Sequence, residues 1–484
     1  MLMSLSMLGR TAAPLCLGLL VSACTTVHRP EQTPLPVELP GAFLAVSGQE
    51  AFVSDTWWRE FDDTQLNRFV ERALDHNPGL AQAIARARIA EAQSRGDRAD
   101  LLPQLSAGLN SSRQRRPGVG IPGGEGEGYS ITNSHNATLD VSWEVDLWGR
   151  LSSLSAAGQA DFLAASEQLR GMHQSLVADV VSLYLDVVQA RAQVDLSERT
   201  VKALSEFARQ VENRVNEGIV SPTDVTLAYA NLGSARAGLE QRRENLARVT
   251  RQLETLMGDY PAGGLVTTRE LPAVPPLPAA GVPAELLARR PDVRSAEWSL
   301  LAADYRLGAA ERSFLPSLSL TGSTGSTGSE LSELFSSGSF IWTIAGNLVQ
   351  PIFQGGRLRA QADVAEGQLD ESFYAYVEVA LTALSEVETA LAVDNLLAQR
   401  VTQTDESAGY AEEAVRVSFN RYRQGIEPFL NVLESQQRAL DSRSAYITAQ
   451  YDRLENRIAL HLALGGGFDT VSALDPSVTG TSAL

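Results

Sequence analysis

Residues 138–148 read TLDVSWEVDLW, with Leu139, Val141, Trp143, Val145 and Leu147 on one face and Asp140, Ser142, Glu144 and Asp146 on the other. A clean period of two marks a half-covered strand. Strands are also the only element with which the chain can cross a bilayer, because no run of 18 apolar residues follows Val21. Three segments share the character more weakly: LPQLSAGLNSS (102–112), FLPSLSLTGST (314–324) and SFIWTIAGNLVQPIF (339–353). Each is near the roughly 9 to 11 residues that a tilted membrane strand needs. The connecting stretches GVGIPGGEGEG (118–128) and TGSTGSTGSELSELFSSG (321–338) read as flexible, Gly-rich surface loops. Any one of these strands alone would suit a soluble half-buried sheet, but four at matched places read as membrane strands.

The matching comes from an internal duplication. Pro78 and Pro103 lie 25 residues apart, as do Pro291 and Pro316, a shift of 213 (291 − 78, 316 − 103). Further on, 149–151 (GRL) matches 356–358, Arg214 matches Arg421, Gly218 matches Gly425 and Gly258 matches Gly465, all shifted by 207. The register slips once, by six residues, between Pro103 and Arg150. Each copy therefore supplies two strands. A barrel in lipid leaves no open edge, and the smallest common ones have about eight strands. One chain cannot close a pore. Two copies would make eight strands filled by side chains, whereas three make twelve with a lumen wide enough for solute, which favours a trimer.

Most of the remainder reads as long helix. No proline occurs in 123–221 or in 352–427, so after each second strand the chain can run as helix for roughly 65 residues, about 100 Å. Within the first run Leu176, Val180, Leu183, Val187, Ala190, Val194, Val201, Leu204, Ala208, Val211 and Val215 follow 3-4 spacing, with Ser197 as the polar member. Val387, Ala390, Leu397, Val401, Ala408, Ala411 and Val415 continue the pattern in the second, interrupted by Asp394 and Thr404. This is a coiled-coil seam. Each run turns at Gly218 or Gly425 and returns through 223–257 or 429–464, while shorter helices at 78–101 and 291–313 lead into the first strand of each repeat. Glycine suits such reversals because it tolerates positive φ.

The N-terminus reads as a lipoprotein export signal: Arg10, an apolar run over 12–21, then Val21-Ser22-Ala23-Cys24, with Cys24 as the lipidation site. Thr25, not Asp, follows it, which favours sorting to the outer membrane. The only other cysteine, Cys16, leaves with the signal, so the mature chain can form no internal disulfide. Hydrophobic content of 44% with 20% charged residues describes a foldable chain, and a net charge of −18 argues against nucleic acid as a partner. The histidines at 28, 76, 135, 173 and 461 form no metal spacing, and the Gly-rich stretches lack the lysine and hydroxyl of a phosphate loop. No catalytic site, metal or cofactor is expected. A trimeric coiled-coil structural lipoprotein would share long heptads and a barrel anchor, but would not explain two hairpins each joined to its own strand pair.

Residues 277–323 (LPAAGVPAELLARRPDVRSAEWSLLAADYRLGAAERSFLPSLSLTGS), with NRVNEGIVSPTDV (213–225) and NRYRQGIEPFLNVLESQQ (420–437), resemble the outer-membrane efflux lipoproteins, the TolC-like outer membrane factors of tripartite RND-type multidrug pumps. The resemblance runs from about residue 57 to 466 and includes the lipobox. It implies a mainly α fold with a transmembrane β-barrel, in which a homotrimer forms a twelve-stranded barrel continuous with a periplasmic helical tunnel. It further implies a passive exit duct for drugs or other small toxic compounds, served by a periplasmic adaptor and an inner-membrane RND-type transporter. Type I protein secretion and metal-ion efflux use the same architecture and stay open.

By the same resemblance Leu430 and Glu434, at i, i+4 on the returning helix of the second hairpin, constrict the periplasmic tip, with Tyr422 bracing it. Relatives often carry Asp at the acid position and Arg three residues on. This chain has Glu434 and Gln437, which puts the interprotomer ion pair of those relatives in doubt. The tips at Gly218 and Gly425, with Arg214 and Arg421, are expected to meet the adaptor, and Asp224 reads as a capping or polar tip residue. Asp140, Glu144 and Asp146 are expected to line the barrel and to favour cations. The chain then divides into signal 1–23, lipid-anchored linker 24–56, first repeat 57–258 (strands near 102–112 and 136–148, hairpin 151–258), equatorial linker 259–285, second repeat 286–466 (strands near 314–324 and 339–353, hairpin 356–464) and tail 467–484.

Overall fold

The computed structural model describes residues 36, 39–43, 54, 56–117, 129–278 and 281–466. The signal, Cys24, most of the linker 24–56, the loop 118–128 and the tail lie outside them. The order is α1 (Thr64–His76), α2 (Pro78–Ala99), β1 (Gln104–Pro117), β2 (Tyr129–Val145), α3 (Arg150–Asn216), α4 (Pro222–Leu256), α5 (Pro283–Arg289), α6 (Pro291–Arg312), β3 (Ser317–Gly328), β4 (Phe340–Val349), α7 (Arg357–Arg423) and α8 (Phe429–Ala463). The duplication is visible in the lengths. Helices α3 and α7 both have 67 residues, α4 and α8 both have 35, and α2 and α6 both have 22. Among the described residues no helix is long and apolar enough to cross a membrane.

Contacts divide the chain into two units. One holds Ile89–Leu163 and Glu297–Tyr374, the other Pro36–Arg88, Ala164–Ala296 and the chain from Ala375 onward. The first contains a single antiparallel sheet in the order β1-β2-β3-β4, so the two repeats join at the β2–β3 pair. Observed bounds depart from the alternation reading at all four strands, with β1 running on to Pro117, five residues past 112 (117 − 112). Strand β2 starts at Tyr129, seven residues before 136 (136 − 129), and β4 stops at Val349 before Gln350-Pro351. At the third strand the loop reading of 321–338 needs correction, because Gly325 to Gly328 extend β3 beyond the expected 324 and the remainder carries 3-10 turns at Leu331–Phe335 and Ser337–Ser339. Gly, Ser and Thr resemble a linker by composition. Here their small side chains let the backbones close in: a Cβ on Gly325 would lie 2.0 Å from the Ala137 carbonyl oxygen.

The second unit is helical. Leu66, Val70 and Ala73 of α1 join Val177, Val181, Leu185 and Val188 of α3, Leu253 and Met257 at the end of α4, and Leu454 and Ile458 of α8 in one core. Asp63 caps α1, its Oδ1 accepting the Gln65 amide at 2.8 Å and the Leu66 amide at 3.2 Å, while the Tyr184 hydroxyl donates to its other oxygen. The polar members of the coiled-coil seams are all partnered. Ser197 donates to the Gln193 carbonyl at 2.9 Å, Thr404 to the Arg400 carbonyl at 2.8 Å, and Asp394 accepts from Arg457 at 2.8 Å. Arg457 is only 2% exposed, so the Asp394 carboxylate that breaks the apolar pattern is the counter-ion of a buried cation. One element has no periodic signature: the 3-10 turn Trp57–Phe61, which buries both tryptophans and Phe61. Trp57 stacks on His461 with centroids 4.9 Å apart and planes 10° from parallel.

Burial, and secondarily the Arg457 charge, lowers the His461 pKa from 6.5 to about 4. The folded value lies below the ordinary one. Its stabilising contribution is therefore complete above about pH 6.5 and is lost as pH falls through about 4. Acid titration followed by tryptophan fluorescence should show a transition near pH 4 that disappears in His461→Gln; an unchanged curve in the variant would assign the transition elsewhere. A second expectation concerns Gly218 and Gly258, at φ 74° and 78°. A Cβ at 218 meets nothing within 4 Å, whereas at 258 it lies 2.5 Å from the His76 carbonyl oxygen. Gly218→Ala should cost roughly 1 kcal/mol for the left-handed backbone alone, and Gly258→Ala about 2–3 kcal/mol more, read as apparent Tm by circular dichroism.

Candidate functional site

Both helix reversals use the same backbone device. At the first, the Gly218 amide donates to the Val215 carbonyl at 2.9 Å and the Ile219 amide to the Arg214 carbonyl at 2.8 Å; at the second, Gly425 donates to Tyr422 and Ile426 to Arg421, both at 3.0 Å. Two such bonds around a residue of positive φ close the helix C-terminus, and Gly218 and Gly425 both sit at φ 74°. The first return is set by Ser221, whose Oγ accepts the Thr223 amide at 3.2 Å, followed by Pro222 in the first turn. Pro428 holds the corresponding place in the second.

The side chains at the tips are not duplicated. Phe207 of α3 meets Phe419 and Tyr422 of α7 at centroid distances of 5.1 and 6.3 Å and stacks on Phe429 of α8 at 5.4 Å. Leu204, Val211, Ala228, Leu232 and Val432 complete this cluster, which locks the two hairpins together. Tyr422 is buried at its centre, and its hydroxyl donates to Asp224 of the first hairpin at 3.4 Å. Burial, then the Asp224 charge, pushes the phenol up to about 12, so it stays a donor at neutral pH. Arg214 spans the same junction. Its Nη1 donates to the Arg423 carbonyl at 3.1 Å, and its guanidinium carbon lies 5.1 Å from the centre of the Tyr422 ring. Arg421 instead pairs with Glu427 at 3.4 Å within its own tip.

Leu430 and Glu434 lie on the opposite face of α8 from Phe429 and Val432. Leu430 is 54% exposed and Glu434 is exposed, with no cation in contact among the described residues. Gln437 donates to Asp441 at 2.9 Å on the same helix. In the sequence Phe419 and Tyr422 share one helix face at i, i+3, but nothing there links them to Phe429 across the turn or to Phe207.

The sheet has two chemically distinct faces. Rows of directly opposed residues run Leu105–Val141–Gly322–Ile344, Ala107–Leu139–Thr324–Trp342 and Leu109–Ala137–Ser326–Phe340 on one face. On the other they run Gln104–Ser142–Thr321–Ala345 and Ser106–Asp140–Ser323–Thr343. The first face is apolar and exposed: Leu105 64%, Leu109 73%, Trp342 67%, Ile344 79%. Among the described residues, strands β1 and β4 each leave one edge without a partner.

Of the three acids expected on the polar face, Asp140 and Glu144 are there. Asp140 accepts from Thr138 at 2.8 Å, and Glu144 accepts from Arg150 at 2.7 Å, which neutralises it. The third needs correction. Asp146 lies beyond the end of β2 and caps α3, accepting the Leu151 amide at 3.0 Å and the Ser152 amide at 2.8 Å. The alternation of residues 138–148 runs on past the strand because a capping acid happens to fall in phase with it. Cys24 lies outside the described residues, and among those described no group of three or more His, Cys, Asp or Glu side chains stands ready to hold a metal ion.

The family described as "Outer membrane efflux protein" matches the chain twice, over residues 69–259 and 282–466. The toluene efflux pump outer membrane protein TtgF of Pseudomonas putida is 29% identical over 469 residues, covering 95% of this chain and 97% of its own. The cation efflux system protein CusC of Escherichia coli is 30% identical over 464 residues, covering 94% and 98%. Among solved structures, the Campylobacter jejuni CmeC outer membrane channel superposes with a TM-score of 0.81 at 25% identity, covering 93% of this chain and 96% of that one.

The Arg214 bridge between the tips is open to test. Arg214→Ala removes a hydrogen bond and a cation–π contact, together about 1–2 kcal/mol. Amide exchange across residues 420–427, read by mass spectrometry, should quicken about tenfold; unchanged protection would mean that Arg214 bridges nothing.

Proposed function

Because the chain belongs to the outer membrane efflux protein family, we propose that it is the outer-membrane exit channel of an efflux pump, conducting small toxic compounds outwards without chemistry of its own. The observation that carries this reading is the two-faced sheet with two unpaired edges. In hydrocarbon such edges must be joined, so identical sheets pair β4 of one copy with β1 of the next until a ring closes. Three copies give twelve strands, with the row of Leu105, Val141 and Ile344 facing lipid and the row of Ser106, Asp140 and Thr343 facing the lumen. The helical hairpins form the periplasmic tunnel, and Cys24 carries the lipid anchor.

Closure is assigned to α8. Leu430 and Glu434 face away from the hairpin core, and three copies around an axis set an apolar ring one turn from a ring of carboxylates. The Phe207–Tyr422–Phe429 cluster holds that helix in place. A periplasmic adaptor is the partner proposed for the tips around Gly218 and Gly425, and an inner-membrane RND-type transporter supplies the energy. Arg421, half exposed beside Glu427, is the better placed of the two tip arginines to meet an adaptor, because Arg214 is engaged within the chain. Organic toxicants are the proposed cargo, as for TtgF. A cation cargo, as the name of CusC indicates, is the alternative that susceptibility assays separate.

Light scattering of the detergent-extracted protein should give the mass of three chains; a monomer would overturn the proposal. In planar bilayers Glu434→Ala should conduct more than wild type and show weaker cation preference, whereas identical traces would remove Glu434 from the gate. Deleting the gene should raise sensitivity to organic solvents and drugs and leave metal tolerance unchanged; the reverse pattern would reassign the cargo.

A further inference from the structure

Strand β1 ends in RQRRP (113–117), three arginines within four residues in a chain of net charge −18. Their place in the sheet is defined by register. The β2–β3 pairing ends where His135 of β2 meets Gly328 of β3, after eleven paired rows beginning at Val145. That is about the length needed to cross the hydrocarbon. Beyond it only β1 and β2 continue as a two-stranded ribbon, in which Arg113 faces Asn133 and Arg115 faces Ile131. This ribbon lies at the end of the strands away from α2 and α3, hence outermost if the sheet spans the outer membrane.

Alternation then decides which way the charges point. Arg113 and Arg115 continue the row of Leu105, Ala107, Leu109 and Ser111 on the apolar face, whereas Arg116 falls in the row of Ser106, Gly108 and Asn110 on the polar face. The apolar row therefore ends in two guanidinium groups. Arg113 stands two residues and Arg115 four residues beyond the Ser111–His135 row, about 7 and 13 Å along the strand and roughly 5 and 10 Å in height once tilted. This is the depth of the headgroup layer. Tyr129, 56% exposed on the same face, has the Arg115 guanidinium carbon 3.8 Å from its ring centroid, which leaves the N–H groups free to point outwards. Among the described residues neither Arg113 nor Arg115 meets a carboxylate.

We propose that Arg113 and Arg115, supported by Tyr129, form a lipid-facing site for the phosphate headgroups of the outer leaflet, fixing the depth and tilt of the barrel in the membrane. The inference rests on the channel reading above, which sets the sheet in the outer membrane. A guanidinium forks onto two phosphate oxygens, and a tyrosine ring beneath it suits the boundary between apolar and polar layers.

The test uses the full-length protein in mixed micelles with labelled diphosphoryl lipid A, or the same lipid stripped of phosphate. Wild type should bind the phosphorylated lipid and discriminate against the stripped form. Each of Arg113→Gln and Arg115→Gln should weaken binding about fivefold, while Arg116→Gln, on the other face, should bind as wild type. Inorganic phosphate should not compete, because a lone anion lacks the acyl chains lying along Leu105 and Leu109. Equal binding of both lipids, full binding by the double variant, an equal loss in Arg116→Gln, or displacement by inorganic phosphate would each overturn the proposal. Bilayer conductance of the same samples keeps the two readings apart. If wild type and double variant conduct alike and bind alike, the lipid site alone falls; if no sample conducts yet the arginines still select the phosphorylated lipid, the channel reading falls instead.

Discussion

An unpaired peptide group in hydrocarbon costs several kcal/mol, and this sheet ends on both sides in rows of them. Among the described residues no other strand meets those rows, and four strands are too few to curl until β1 meets β4. Closure must come from other copies. Copy number, lumen, and the need for one face to be apolar along every strand all descend from that requirement, which acts on the backbone and is indifferent to the side chains. The side chains decide only which face is which, and they do so through a register that aligns Leu105, Val141, Gly322 and Ile344 in one row.

The helical part shows how a duplicated backbone becomes an asymmetric device. Helix lengths are equal between repeats, and both reversals close through the same pair of hydrogen bonds around Gly218 or Gly425. Backbone geometry has been kept. The aromatic lock has not: Phe207 and Phe419 have no equivalents at a shift of 207, where Ala414 and Glu212 stand, and Tyr422 corresponds to Val215. The second hairpin contributes the rings that are gripped, and the first contributes Phe207, Asp224 and Arg214 that grip them. Any gate carried on α8 is thus held by contacts from the neighbouring hairpin, and loosening those contacts is the physical route by which a partner docking at the tips would shift it.

Much of this was legible in the sequence because it rests on periodic or punctuating residues. Proline spacing located the short helices, the Pro-free runs located the long ones, and positive-φ glycines located the turns. What escaped reading was aperiodic. The Trp57–Phe61 turn is too short to show a period, and the Arg457–Asp394 pair joins residues 63 apart, with no local spacing to betray it. Gly325 to Gly328 were concealed by composition, since a strand of small residues looks like a linker until the bulk of the strand facing it is known. Asp146 misled in the opposite sense, its phase agreeing with the strand while its carboxylate serves the next helix.

Charge is compensated unevenly along the chain. Asp146 is spent on a cap, and Glu144 is held by Arg150. Both sit where β2 hands over to α3, so their charge is compensated at the base of the sheet and contributes little field to the lumen. Asp140 keeps its charge but shares it with hydroxyl donors on the polar face. Glu434, by contrast, is exposed, has no cation in contact among the described residues, and is one helical turn from Leu430. In the channel proposed above, threefold repetition would bring three such carboxylates together at the helical tips, where low-dielectric walls make each charge count for more. On the proposed gate, discrimination between permeating charges falls to the helical tip rather than to the sheet, whose acids are already partnered.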